Sequence, residues 1–237
     1  TSANVSTYGL RHSADATASR IKLGMEGTLL QVNCRGVKLD LNSKLIGRHN
    51  VYNILAAALF CIQEGLEPQL IKKAIESFDC VPGRMERVDL GQPFKVFVDY
   101  AHTEDALYNV ISSLREIGRN RLIVVFGCGG ERDKTKRPKM GYVASEMADS
   151  VIITSDNPRS EDENDIIEDI RKGIRKNNYK IIADRHMAIQ EALKIARDDD
   201  IVLIAGKGHE RCQIFKDKIV DFDDREEVKK CLASRIS

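Results

Sequence analysis

Leu122-Ile123-Val124-Val125-Phe126-Gly127-Cys128-Gly129-Gly130 is an unbroken apolar run of five residues that passes straight into a glycine-rich turn. A short, wholly apolar segment closed by turn residues suits a strand covered on both faces rather than one exposed on one side. Four further runs have the same texture: Val96-Phe97-Val98, Val151-Ile152-Ile153, Lys180-Ile181-Ile182-Ala183 and Ile201-Val202-Leu203-Ile204-Ala205. Helical spacing over residues 103–117, 136–148, 162–177 and 185–197 fills the intervals. Strand and helix in alternation predict an α/β domain: a Rossmann-like, mostly parallel sheet with right-handed crossovers, flanked by helices.

Outward from that core the texture changes. Toward the C-terminus, Gln213-Ile214-Phe215-Lys216-Asp217-Lys218-Ile219-Val220 reads as a hairpin with a polar turn, and Asp223 caps a last helix. Toward the N-terminus, Gly27–Val32 and Gly36–Leu41 alternate as hairpin strands. A helix is predicted over 50–61, where Val51, Ile54, Leu55, Ala58 and Leu59 recur at helical spacing before Gly65 stops it, and Pro68 opens another to Phe78. Pro82-Gly83 is the clearest break, dividing the chain into domains 1–82 and 83–237.

The composition excludes some function classes. With 37 Lys+Arg against 36 Asp+Glu in 237 residues, the net charge of +1 creates no global field to recruit nucleic acid or an anionic membrane surface. No apolar run approaches the roughly 20 residues of a bilayer span, and the polar start Thr1-Ser2-Ala3-Asn4 lacks a signal-peptide layout. A cytoplasmic location is the expectation. Six scattered cysteines without C-x-x-C spacing argue against a zinc site or a disulfide framework.

In an open α/β sheet the carboxyl ends of the strands hold ligands. Here those ends carry Asp99-Tyr100-Ala101-His102, Gly127-Cys128-Gly129-Gly130-Glu131-Arg132-Asp133, Asp156-Asn157-Pro158-Arg159 and Gly206-Lys207-Gly208-His209-Glu210. Singly, each has a plain reading: a tight connection, a turn before a helix, a surface or capping histidine. Four such turns on one edge favour a binding rim. Arg132 and Arg159 offer planar forks for carboxylates, while Asp156 and Glu210 can accept hydrogen bonds from an ammonium group. That combination suits a zwitterion, aided by the oriented N–H groups of the helices that follow.

These four motifs resemble the Mur ligase family, in particular its diaminopimelate-adding branch. In that branch Asp-Asn-Pro-Arg is the signature, and lysine-adding relatives alter its last position. Arg159 is then the specificity-bearing residue, because diaminopimelate has a second carboxylate that lysine lacks. The resemblance implies that Arg132, Asp156, Asn157, Pro158, Arg159, Gly206 and Glu210 bind the amino acid. It also implies a nucleotide edge: Asn50 and Asn53 near adenine, Arg84 on a phosphate, Asp99 and His102 near ribose and phosphates. Asn50 and Asn53 are equally readable as a helix cap and a polar face residue, and Arg84 as a solvated hinge residue.

The likeness is strongest over 46–210 and weak in the first forty residues. One departure is plain: the family's G-x-x-G-K-T phosphate loop is absent. Its UDP-sugar domain and the segment with its metal-associated lysine are absent too. The resemblance therefore implies a fragment that begins with the C-terminal part of the central ATPase domain and continues through the ligase domain. For the complete enzyme it implies ATP with Mg2+, meso-diaminopimelate, UDP-N-acetylmuramoyl-L-alanyl-D-glutamate and an acyl phosphate on the glutamate γ-carboxyl. No residue stands out as the general base, although His209 and Glu210 lie in a suitable loop. A lysine-adding or folylpolyglutamate synthetase-like ligase is the nearest alternative. A non-catalytic amino-acid or nucleotide-binding module is the alternative of another class.

Overall fold

The computed structural model describes residues 4–10 and 13–236. The chain divides into two compact units, one of Thr1–Cys80 with Ser113–Gly118, the other of Val81–Ser112 with Arg119–Ser237.

In the first unit β1 (Tyr8–Gly9), β2 (Ala16–Gly24), β3 (Gly27–Cys34) and β4 (Val37–Ser43) form a sheet in that order. The two predicted hairpin strands are β3 and β4, paired antiparallel from Thr28↔Ser43 to Cys34↔Val37. β2 pairs antiparallel with β3, but its register shifts between Ser19 and Lys22 and Arg20 adopts φ 52. That bulge interrupts the period-two alternation by which a strand is recognised. Two helices follow, α1 (Arg48–Gln63) and α2 (Pro68–Ser77), the latter opening on proline where a missing N–H costs nothing. Val51, Ile54, Leu55, Ala58 and Leu59 form one stripe of α1 and share a core with Leu30, Val32, Leu39 and Leu41 of the sheet and Ile71 of α2.

The second unit contains β5 (Glu86–Val88), β6 (Lys95–Asp99), α3 (Glu104–Ile117) as far as Ser112, β7 (Leu122–Phe126), α4 (Lys136–Met147), β8 (Ser150–Ile153), α5 (Glu163–Arg171), β9 (Tyr179–Ile181), α6 (Arg185–Ile195), β10 (Ile201–Ala205), β11 (Cys212–Ile214), β12 (Ile219–Asp221) and α7 (Asp224–Ile236). Its six-stranded sheet has the order β5-β6-β10-β7-β8-β9. All neighbours are parallel except β5, which runs antiparallel to β6. Two of β5's three residues are charged, so it gives no apolar run, and its short connection to β6 permits only the antiparallel sense. Alternate residues Val96, Val98, Ile123, Val125, Val202 and Ile204 pack against α6 and α7. The interleaved Phe97, Val124, Phe126 and Leu203 are fully buried on the opposite face.

The fifth helix stops at Arg171, short of the predicted 177. Gly173 explains this: a β-carbon there would lie 1.7 Å from the Pro138 carbonyl oxygen, so the chain turns where it touches the start of α4. β11 and β12 form the predicted hairpin, and Asp223 Oδ1 accepts the Arg225 backbone N–H as α7 begins. Among the described residues no helix is long and apolar enough to cross a membrane.

Candidate functional site

Because β6, β7, β8 and β10 are parallel, their carboxyl ends share one edge, and Ala205 is in register with both Asp99 and Phe126. The turns after these strands therefore meet. Asn157 is the hub. Its side chain is buried, donating from Nδ2 to Glu210 Oε2 at 2.8 Å and accepting at Oδ1 from Lys207 Nζ at 3.1 Å and from the Ile214 backbone N–H at 3.0 Å. Its carbonyl accepts the Gly130 N–H at 2.9 Å and Arg159 Nη1 at 3.3 Å. Asp156, also buried, offers its carbonyl to Gln213 Nε2 at 2.9 Å, which ties the C-terminal hairpin to the loop.

Arg159 adopts φ 53, a conformation unusual for a side-chain-bearing residue, and is held there by its N–H to the Ile214 carbonyl at 2.9 Å. Its Nη1 donates to the Gly130 carbonyl at 2.8 Å. With Pro158, Phe215 and Lys218 it borders a hollow of about 390 Å³. Arg132 is exposed and makes no hydrogen bond or ion pair among the described residues. A β-carbon on Gly129 would lie 3.0 Å from Arg159 Nη1 and 3.7 Å from Arg132 Cγ, so both arginines pass the same glycine.

The glycines of this rim have a packing reason. A β-carbon on Gly130 would meet the Pro158 carbonyl oxygen at 1.9 Å, and Gly206, at φ 120, leaves 2.7 Å to Asp156 Oδ2. They let two turns touch, and a Glu161 carboxylate locks them: it accepts the Glu131 N–H at 2.5 Å, Lys134 Nζ at 2.9 Å and, on both of its oxygens, Arg137 Nη2 at 3.0 Å. The Glu131 N–H, then Lys134 and Arg137, hold Glu161 far below the usual carboxylate range, at about 2.

Three buried cations support the rim: Lys207 stands in the Gly206–Glu210 motif, and the other two were signalled by no motif of their own. Lys207 has no exposed side-chain surface and meets Glu210 Oε2 at 3.2 Å. Arg137, also buried, reaches Asp169 at 3.0 Å as well as Glu161. Arg185 and Asp224, both 0% exposed, pair at 2.7 Å through two bonds, and Arg185 also donates to the Ser155 and Ala205 carbonyls at 3.3 and 3.0 Å. Burial opposes the Arg185 charge, but the Asp224 carboxylate outweighs it and raises its pKa. The only local signal was a charged residue at the first position of a helix, which usually faces solvent. Cys128, beside Met140, is pushed up to about 12 by burial and is no nucleophile.

A second cluster surrounds Tyr100. Arg84 stacks on its ring at 4.5 Å, and the rings of His102 and His209 lie 4.5 and 5.2 Å away. Arg84, His102 and His209 are exposed. Asp99 is buried, its Oδ2 accepting the Met85 N–H and its Oδ1 the Ala101 N–H, each at 2.8 Å. In the first unit Asn53 Nδ2 donates to Asn50 Oδ1 at 3.0 Å, and Asn50 Nδ2 to the Ile46 carbonyl at 2.8 Å. The structure thus gathers Arg132, Asp156, Asn157, Pro158, Arg159, Gly206 and Glu210 into one connected rim. It gathers Arg84, Asp99 and His102 about Tyr100, and pairs Asn50 with Asn53.

This arrangement has known counterparts. The Mur ligase glutamate ligase domain matches residues 83–208 and the Mur ligase middle domain residues 1–61. The chain is 46% identical over 233 residues, 97% of its length and 48% of the relative's, to a protein of Syntrophomonas wolfei subsp. wolfei named as the ligase of UDP-N-acetylmuramoyl-L-alanyl-D-glutamate and 2,6-diaminopimelate. A protein of the same name from Solibacter usitatus is 49% identical over 220 residues, 92% of this chain and 44% of its own. A solved structure of a ligase so named superposes with a TM-score of 0.73 at 36% identity, covering 98% of this chain and 48% of that one. The chain spans about half the length of the curated relatives it matches. With both domain matches in sequence order, and the ligase-domain match alone taking in more than half of the sequence, the chain belongs to the Mur ligase family.

Proposed function

We propose that this chain is the amino-acid-holding part of a cytoplasmic, ATP-dependent ligase that joins meso-diaminopimelate to UDP-N-acetylmuramoyl-L-alanyl-D-glutamate in peptidoglycan precursor synthesis. The observation that carries the reading is Arg159: backbone and guanidinium are fixed by the carbonyls of Ile214, Gly130 and Asn157, beside the uncommitted Arg132 and the Asn157–Glu210 pair. A guest satisfying this rim needs two carboxylates for two guanidiniums and an ammonium for Glu210. Diaminopimelate has all three, whereas lysine lacks one carboxylate. The names carried by relatives at 46% and 49% identity support the same substrate.

The rim's task is positioning. Formation of an amide needs the amine held close to an activated acyl group, and fixing both ends of a flexible diamino acid removes entropy worth up to roughly 7–11 kcal/mol in the best intramolecular cases. Asn157 and Arg159 are themselves tied down, so little reorganisation is left for the moment of binding.

ATP, when bound, supplies the phosphoryl group that activates the glutamate γ-carboxyl. Arg84 fits a phosphate, since its guanidinium is exposed, stacked on Tyr100 and free of hydrogen bonds and ion pairs among the described residues. Asp99 and His102 would line the nucleotide on the same unit. Among the described residues no group of three or more His, Cys, Asp or Glu would hold Mg2+, so the ion enters this reading only with the nucleotide's phosphates.

Calorimetric titration of the chain with meso-diaminopimelate, L-lysine and L-glutamate tests the reading. Tighter diaminopimelate binding is expected; equal affinity or a preference for lysine overturns it, and a preference for glutamate points to the folate-type ligase. The chain alone is expected to show no ligase activity, because it has no G-x-x-G-K-T loop to cradle the ATP phosphates. ATP-dependent ligation by the purified chain would refute that expectation.

A further inference from the structure

Lys207 is given no part in the proposed binding of the amino acid, yet it is a lysine with no exposed side-chain surface placed directly under the rim. Burying an ammonium group is costly, and an apolar side chain of similar length would fill the space without that cost. The partners of Lys207 indicate what the charge does there. Its Nζ lies 3.1 Å from Asn157 Oδ1 and 3.2 Å from Glu210 Oε2, while Asn157 Nδ2 donates to that same Oε2 at 2.8 Å. The three side chains close a triangle in which one oxygen of Glu210 receives two donors from within the protein. The other oxygen, Oε1, receives none among the described residues, and the side chain is 32% exposed. Asn157 cannot easily shift to compensate, since its Oδ1 also takes the Ile214 N–H.

We infer that Lys207 is a positioning residue: together with Asn157 it fixes Oε2 of Glu210 from beneath and leaves Oε1 to accept the ammonium group of the incoming amino acid. The inference rests on the proposed reading of Glu210 as the ammonium acceptor. Without the lysine, Glu210 keeps a single anchor and its carboxylate rotates among several orientations, one of which meets the guest. Lys207 acts only through Glu210, so the two residues form one energetic unit and their substitutions do not add.

The test is a double-mutant cycle on the full chain, read by calorimetric titration with meso-diaminopimelate. Lys207→Met is expected to weaken binding at least tenfold without lowering the thermal midpoint of the ligand-free chain, since it replaces a buried cation by an apolar side chain of similar size. Glu210→Ala is expected to weaken binding at least as much, and the double variant no more than Glu210→Ala alone. Unchanged affinity in Lys207→Met, or losses that multiply in the double variant, overturn the inference and leave the substrate reading standing. A lowered midpoint with unchanged affinity assigns Lys207 a purely structural role. A wild-type chain that takes up no diaminopimelate overturns the Glu210 reading and this inference with it. If Lys207→Met fails to fold, Lys207→Gln, which keeps a polar N–H group but no charge, replaces it in the same cycle.

Discussion

On one side of the rim Asn157, Lys207 and Glu210 hold one another at 2.8–3.2 Å, backed by two further buried cations, Arg137 and Arg185, whereas on the other Arg84, His102 and His209 are gathered about Tyr100 by ring contacts of 4.5–5.2 Å and face solvent. Both regions lie at the ends of the same parallel strands, so the difference comes from what the loops are tied to. The Asn157 side is built rigid: nearly every polar group beneath it is spent on another. The Tyr100 side keeps the Arg84 guanidinium unspent, with one carboxylate, Asp99, bracing the backbone at Met85 and Ala101. A rigid cradle suits discrimination between guests that differ by one carboxylate, because a loose arginine would follow either guest. An exposed guanidinium on an aromatic platform suits a phosphate-rich partner, whose charge can be met in more than one geometry.

The largest effect should come from removing the strut beneath the rigid side. Asp224→Ala leaves Arg185 buried without its carboxylate, a change that costs on the order of 3–5 kcal/mol. Thermal or denaturant unfolding measures it. A loss below about 1 kcal/mol would mean that Arg185 finds water, and that the rigid side is less dry than the two side chains' 0% exposure implies.

Next in size is Arg159→Ala. If its guanidinium pairs the far carboxylate, the charged hydrogen bonds lost are worth about 1.5–3 kcal/mol, so affinity for meso-diaminopimelate falls while that for L-lysine hardly moves. Titration of both ligands reads this as a collapse of preference. Equal losses for the two would place Arg159 on a carboxylate that they share.

Acid should then separate the two sides. Glu161 has a pKa lowered to about 2 from an ordinary 4.5, so its contribution is fully present above 4.5 and disappears as pH falls toward 2. The stability advantage of the wild-type chain over Glu161→Gln is expected to shrink across that window. An advantage that stays constant would show that Glu161 does not hold the Glu131 and Asp156–Arg159 turns together through its charge.

That the four loops share one edge was legible in the sequence because each follows closely on an apolar run, and parallel strands bring such positions together. Sequence also exposed the α/β alternation, the first hairpin and the C-terminal one. Its blind spots have a common physical origin. Arg185 meets Asp224 and Arg137 meets Glu161 across 39 and 24 residues, so neither charge looks buried in its own neighbourhood. β5 was hidden by its charges, and the early end of α5 by a contact with Pro138 that only the folded chain makes. The glycine-rich turn was misleading in a more useful way. Gly130 lacks a side chain because the Pro158 carbonyl occupies that place, so its glycine serves loop packing whatever else the turn binds.

The smallest effect belongs to the open side, and it is the one that most sharpens the contrast. Tyr100→Leu removes the ring on which Arg84 rests at 4.5 Å, an exposed cation–π contact worth about 0.5–1 kcal/mol. The residue touches none of the buried ion pairs, so unfolding should move by no more than that amount. Diaminopimelate binding should not change at all, because Asn157, Lys207 and Glu210 are held by one another and not by Tyr100. If Tyr100→Leu weakens diaminopimelate binding, the two clusters are one site coupled through Gly208, whose missing β-carbon would lie 2.7 Å from Tyr100 Cβ, and the distinction between a rigid and an open side fails.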